Sequence, residues 1–381
     1  FVGIGGYETH LIQRDHSIHE TVVDGSSARA GEPATNVILN DSANDTVLDG
    51  LVVTGGNLNN SSRPGVAVFC RLSTANIRQC KIIGNVASGD SAIFIKGSDV
   101  NISDCIISGN ICDGIYGSAI YEGKSSEIVI DNCSINSNTG RGIWVQGDFL
   151  GTRLVVKNSQ ISDNTLGGIL SDSAKIFIVS NSEISRNNLT GEGDRVHPAG
   201  GILVHDAWGT LIIANCTVEG NGSPNPMQTG QGINVAGGWA ATILISNCIV
   251  WNCGNAPFYN GIEYFFPFTV QYSNIEGGVW PGHGNISTDP LFLNASKRDY
   301  RLKWNSPCID TGWNTSDPFW GLVIKDIDGL NRGFDGDGLG SGGTGDGSDY
   351  DMGAFEAYPP SQPSIMITPP LPITTDPLVC Q

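Results

Sequence analysis

Apolar residues along this chain come in short runs of Ile and Val, separated by polar positions and broken by Gly, Asn and Asp. Period-two alternation rich in β-branched residues predicts short strands rather than helices. The pattern then repeats. Ile77-Arg78-Gln79-Cys80-Lys81-Ile82 is followed by Ile102-Ser103-Asp104-Cys105-Ile106-Ile107 and by Ile130-Asp131-Asn132-Cys133-Ser134-Ile135. The central Cys or Ser falls at Cys80, Cys105, Cys133, Ser159, Ser182, Cys216 and Cys248, at spacings of 25, 28, 26, 23, 34 and 32 residues.

Two more registers run beside the first. Five residues after each of the first six positions stands an Asn: Asn85, Asn110, Asn138, Asn164, Asn187 and Asn221. Further on comes a small residue followed by Ile, as in Ala92-Ile93, Ala119-Ile120, Gly142-Ile143 and Gly261-Ile262. Fixed features joined by variable lengths mean fixed strands and tolerant loops. The fold this predicts is all-β: a right-handed parallel β-helix solenoid, with a C-terminal Gly/Asp-rich cap region and a Pro-rich tail. Coils stacked about 4.8 Å apart pair every strand with its neighbours. Asn at tight turns tolerates left-handed φ, and stacked Asn amides bond up the ladder. The expected division is opening coils over 1–45, repeats over 46–290 in about nine coils, a terminal region over 291–358 and a Pro/Thr-rich tail over 359–381.

Composition sharpens this picture. Only 15% of residues are charged and 51 are Gly, whereas 39% are hydrophobic, enough for a sizeable core. Net charge is −18 with no Lys/Arg cluster, so the chain lacks the basic face that a nucleic-acid partner needs. No apolar stretch is long enough to span a bilayer. The chain starts at Phe1 inside a strand-like run, which suggests a processed or truncated product. The five Cys of the repeat register read as small buried hydrophobes, since no metal-ligand spacing occurs. Cys70, Cys112, Cys253, Cys308 and Cys380 lie off that register and are the better disulfide candidates.

Residues 46–290 resemble the pectate-lyase-like parallel β-helix superfamily, with its short Asn-Cys-x-Ile repeats. The end of the chain carries Asp289-Pro290-Leu291-Phe292, Ser306-Pro307-Cys308-Ile309-Asp310, Asp326-Ile327-Asp328-Gly329-Leu330-Asn331-Arg332 and Asp351-Met352-Gly353-Ala354-Phe355-Glu356. That ordered set is similar to the terminal domain of bacterial choice-of-anchor Q surface proteins. The resemblance implies export and a secreted, cell-surface location. The tail departs from the family pattern, because Pro359–Gln381 has no anchor helix or basic end.

Candidate chemistry is sparse. Gly282-His283-Gly284 resembles a fragment of a polygalacturonase-type site without its Asp partners, and His283 reads as a loop residue. Alternation places Phe94, Tyr121, Trp144, Leu170, Leu203, Asn234 and Glu263 on one external stripe, with Lys96, Gln146, Asp172 and His205 beside it. An exposed aromatic ladder suits sugar rings or another protein surface; a covering loop is the alternative. The insertion after Asn188 brings Asp194, Arg195 and His197 towards His205 and Asp206, the best acid-base cluster available and otherwise a solvated loop. Asp326, Asp328, Asp335 and Asp337, interleaved with Gly, suit calcium or a solvated acidic loop. Sequons occur at Asn60, Asn101, Asn188 and Asn285.

Two functions follow. One is a non-catalytic extracellular scaffold, surface-displayed or self-assembling, whose tail segment Ser364-Ile365-Met366-Ile367-Thr368 docks on a neighbouring copy. The other is a polysaccharide-binding or polysaccharide-degrading protein acting on cell-surface glycan at the aromatic stripe.

Overall fold

The computed structural model describes residues 19–28, 31–58, 66–118, 126–147, 151–188, 200–207, 209–222, 231–238, 242–254, 257–260, 268–313, 316–317, 321–322, 324–333 and 350–357. Three parallel sheets wind around one core. Sheet I has ten strands, from Thr21–Asp24 through Lys81–Ile83 and Glu183–Ser185 to Asn274–Ile275. Sheet II has nine, from Ile38–Asp41 through Arg141–Gln146 to Phe258–Asn260. Sheet III also has nine, from Thr46–Asp49 through Thr74–Arg78 to Phe268–Gln271. The chain passes from sheet III to sheet I to sheet II once per coil, so the predicted β-helix is the fold observed.

Like residues stack on like inside it. In sheet III the inward column is Ile77, Ile102, Ile130, Val156, Val179, Ile213, Ile245 and Val270, each paired in register with the next. Sheet I repeats this with Ile82, Ile107, Ile135, Ile161, Ile184, Val218 and Val250. All are buried. Burying each such side chain contributes about 1.5–3 kcal/mol, and sheet III adds a second buried column of Val100, Ile128, Leu154, Phe177, Leu211 and Ile243.

The corners cannot pair through the sheets, so side chains satisfy them. At the corner between sheets I and II the Asn column does this work. Asn138 Oδ1 accepts from both the backbone N–H and Nδ2 of Asn110, at 3.1 and 3.0 Å. Its own Nδ2 donates to Asn164 Oδ1 and to the Ile107 carbonyl. The same linkage runs unbroken from Asn85 to Asn221. These Asn are not the left-handed residues. Positive φ falls one position earlier in the column, at Gly84, Gly109, Ser137, Asp163, Arg186 and Gly220. A second left-handed set, Gln79, Asp104, Asn132, Asn158, Asn181, Asn215 and Asn247, precedes the Cys/Ser column.

The Cys/Ser column does more than fill space. Cys133 N–H donates to Ser159 Oγ, Ser159 N–H to Ser182 Oγ, and Cys248 N–H to Ser273 Oγ, each at 3.1 Å. The disulfide expectation needs correction at three sites: Cys70, Cys253 and Cys308 are buried free thiols. Cys70 lies in the sheet II ladder beside Ile95, and Cys253 occupies the next place in the Asn column, with Asn221 Nδ2 3.9 Å from its sulfur. Burial pushes the thiols of Cys70 up to about 11 and of Cys253 and Cys308 to about 12. The side chain of Cys112, and Cys380, lie outside the described residues.

The expected cap is two structures. A loop over 276–288 closes the C-terminal end, with Trp280 edge-on to core Phe258 at 4.4 Å. Asn285 Oδ1 accepts the N–H of Ser273, taking the place of a further coil. Gly282-His283-Gly284 belongs to this cap. A Cβ at Gly284, whose φ is +65°, would meet the Tyr272 ring, and one at Gly282 would meet the Val270 carbonyl. His283 stacks on Tyr272.

The described residues of the rest of the terminal region, within 291–313, 324–333 and 350–357, form a strap along the outer face of sheet I. Its core of Phe292, Tyr300, Leu302, Cys308, Ile309, Met352, Ala354 and Phe355 buries Ile249 of that face.

Candidate functional site

Two outward rows of sheet II carry the predicted stripes. The first row, read from the strand register, is Phe69, Phe94, Tyr116, Trp144, Leu170, Leu203, Asn234 and Tyr259. Tyr116 stands where Tyr121 was expected, and Tyr259 where Glu263 was. The segment Gly114-Ile115-Tyr116 and the segment Ala119-Ile120-Tyr121 are two copies of one small-Ile-Tyr pattern. The strand uses the first, five residues after Asn110, just as Ile143 lies five after Asn138. Tyr121 and Glu263 lie outside the described residues.

The row is not an exposed ladder. Phe69, Phe94, Leu170, Leu203 and Asn234 are all buried. Phe94 meets Phe69 edge-on at 5.4 Å. Trp144 is half-buried against Leu170 and Leu203, with the Arg141 guanidinium 5.4 Å from its ring centroid. Such a cation over an indole face contributes about 0.5–2 kcal/mol and fixes the ring's pose.

The second row, in register, is Asp41, Arg71, Lys96, Ser118, Gln146, Asp172 and His205, of which Asp41, Arg71, Lys96, Gln146, Asp172 and His205 are half-buried polar groups that solvent reaches. Arg71 grips Asp41 through two bonds, with Nε donating at 2.8 Å. Asp172 Oδ1 lies 3.3 Å from His205 Nδ1 and accepts from Ser173 Oγ at 3.2 Å. Asp172 and His205 therefore form a carboxylate-imidazole pair at the surface, with Gln146 one coil away and Trp144 on the adjoining row. Of the acid-base cluster, Asp194, Arg195 and His197 lie outside the described residues, as does the side chain of Asp206. This face can hold a flat polar ligand between an indole and a row of hydrogen-bonding groups.

A second cluster lies under the strap, and the sequence reading missed it. Glu183 and Glu219, on successive sheet I strands, are buried beside Tyr300. Burial pushes the Glu183 carboxyl up to about 7, while Ser185 Oγ donates to it at 2.7 Å. Burial also raises Glu219, which accepts from Asn252 Nδ2 at 3.2 Å. Burial, then the Glu219 charge, hold the Tyr300 phenol well above its ordinary value. Arg298 reaches Asp163 at 2.8 Å at the rim. The signal in sequence was two Glu, Glu183 and Glu219, at outward positions of successive repeats, where the preceding coils carry Ser134, Asn136, Gln160 and Ser162.

The ordered terminal motifs form a clamp. Arg332 and Glu356 are fully buried and paired at 3.4 Å. Arg332 Nη2 also donates to the Gly353 carbonyl and to Asn181 Oδ1, both at 2.8 Å. Asp326 accepts from the Leu330 N–H through one carboxylate oxygen and from the Glu356 N–H through the other. Burial and the neighbouring Asp326 raise Asp328. Asp335 and Asp337 lie outside the described residues, and among the described residues no group of three or more metal-ligating side chains converges. Asn188 is fully buried, so its sequon is closed to glycan, whereas Asn101 is exposed on sheet III. Asn60 lies outside the described residues.

A parallel three-sheet solenoid with an Asn column defines the class. The chain matches the family described as right handed beta helix region over residues 13–147 and 91–266, and it belongs to that family. No curated protein and no solved structure matches it significantly.

Proposed function

We propose that the chain is an extracellular structural β-helix, displayed at a cell surface as a rigid, non-catalytic shaft. The observation that supports this best is the strap, which ties five successive coils together through Asp163, Asn181, Thr217, Asn247 and Asn274. Similarity of the terminal motifs to choice-of-anchor Q proteins supports export. The reading is tested by shaving intact source cells with protease and following the chain by mass spectrometry. Release of its peptides from unbroken cells is expected; protection until lysis sinks the proposal. Negative-stain microscopy with light scattering then separates a displayed monomer from an ordered polymer.

A second reading rests on the sheet II face. Trp144, Gln146, Asp172 and His205 offer an indole beside hydrogen-bonding groups, the chemistry that grips a sugar ring. Trp144→Ala and His205→Ala should each weaken retention on a glycan panel at least tenfold. A wild-type chain that binds no glycan on a broad panel removes this reading.

A further inference from the structure

Strap and shaft meet over two outward rows of sheet I. In register, Glu183 is followed by Thr217 and Ile249, and Ser185 by Glu219 and Trp251. The strap rests on both rows. Ala354 N–H donates to Thr217 Oγ1 at 3.0 Å, and a Cβ at Gly353, whose φ is +97°, would meet Thr217 and Ile249. Tyr300, from the hairpin of Phe292–Asn294 and Asp299–Leu302, lies against Glu219 and Ser185 and is 1% exposed.

The charges in this contact do not balance. Glu183 and Glu219 are each 5% exposed and lie one coil apart. The guanidiniums close enough to act on them, Arg298 and Arg186, both pair with Asp163 instead, at 2.8 and 3.1 Å. Glu276 of the closing loop adds negative charge on the Glu219 side. Among the described residues each carboxylate receives one hydrogen bond, from Ser185 Oγ at 2.7 Å and from Asn252 Nδ2 at 3.2 Å. The Tyr300 hydroxyl is buried beside them without a hydrogen-bond partner there. Asp351 is the contrasting case, because its two carboxylate oxygens accept the N–H groups of Asp310 and Ala357, which belong to the strap as it does. Glu183 and Glu219 have no such set of donors, so burying both as anions costs far more than burying one.

We propose that the strap is a pH-operated latch, closed on sheet I while Glu183 and Glu219 hold a proton between them and loosened from the shaft when both ionise. Lifting the hairpin that carries Tyr300 admits water to both carboxylates and removes the cost of burying them. The shaft has no need to unwind for this, since its coils are paired through their own ladders and corner side chains. The direction follows from burial, which pushes the Glu183 carboxyl up to about 7 and also raises Glu219. Both groups therefore favour the closed strap on the acid side of neutrality and withdraw that support as pH rises.

The test is hydrogen exchange of the full chain, read by mass spectrometry at about pH 6 and about pH 8.5. Each rate is divided by that of the unstructured peptide at the same pH, which removes the intrinsic base catalysis of exchange. Protection over Asp299–Leu302 and over 351–356 should fall at least tenfold at the alkaline pH, while protection over the shaft strands Glu127–Asp131 and Arg153–Lys157 stays constant. In a chain carrying both Glu183→Gln and Glu219→Gln, the strap should be equally protected at the two pH values. Strap protection that does not change with pH in the wild type overturns the proposal, whatever the yield of the variant. So does loss of protection in strap and shaft together, which is unfolding of the whole, or a double variant as pH-sensitive as the wild type.

Discussion

Arg332 Nη2 donates to Asn181 Oδ1 at 2.8 Å, joining residues 151 positions apart in sequence. That bond brings a buried guanidinium from the strap onto the shaft, where Glu356 balances its charge. Arg332→Met should leave Glu356 buried and unpaired, costing about 3–5 kcal/mol in denaturant unfolding. Adding Glu356→Gln to it should recover part of that loss. A single variant within 1 kcal/mol of wild type would show that the strap does not depend on the clamp.

The Asn column makes a graded prediction. Asn138→Ala removes the acceptor for two donors of Asn110 and should cost about 2–3 kcal/mol. Asn101→Ala, on the exposed face of sheet III, should stay within about 0.5 kcal/mol. Urea midpoints of the two variants, compared at equal slope, check the contrast.

Glu183 gives the shaft a pH dependence of definite sign. Its carboxyl is raised in the fold from 4.5 to about 7, so the folded state holds a proton that the unfolded chain has lost. The stabilisation is whole below about pH 4.5 and declines as pH rises towards 7, by on the order of 3 kcal/mol. Glu183→Gln should flatten the melting temperature between pH 5 and about 8, relative to wild type, with the gap widest at the alkaline end. Parallel curves for the two proteins would remove Glu183 as the cause.

Thiol chemistry should report the core directly. The eight described cysteines are buried, so a maleimide should label none of them in the native protein and all of them in denaturant. Peptide mapping after native labelling decides this. Modification at Cys70, Cys253 or Cys308 without denaturant would contradict their placement.

How much of this was legible in sequence depended on periodicity. The Cys/Ser and Asn columns recur at every coil because each corner needs the same side-chain bonds, so the solenoid announced itself. Tyr121 was mistaken for Tyr116 because one coil holds two copies of the same small-Ile-Tyr pattern, and only the strand register distinguishes them. His283 read as a loop residue from the missing Asp partners alone, and the structure gives its glycines their reason: they let a closing loop approach Tyr272 and Val270. The strap left no periodic trace. Its contacts join Arg332 to Asn181 and Ala354 to Thr217 across more than a hundred residues, and nothing local in those motifs names the partner. The buried Glu183 is hidden for the same reason, since what covers it is Tyr300 from the strap.

The strap also fixes how this molecule can change length over generations. A β-helix ordinarily gains or loses whole windings by duplication or deletion, since each winding fits any neighbour. Here the segment from Asp163 to Asn274 is measured against a ruler with five marks, and losing or gaining one winding there would pull every later mark out of step. The windings before Asp163 carry no such marks among the described residues. Variation in copy number should therefore collect at the N-terminal side of the shaft, leaving the C-terminal side constant.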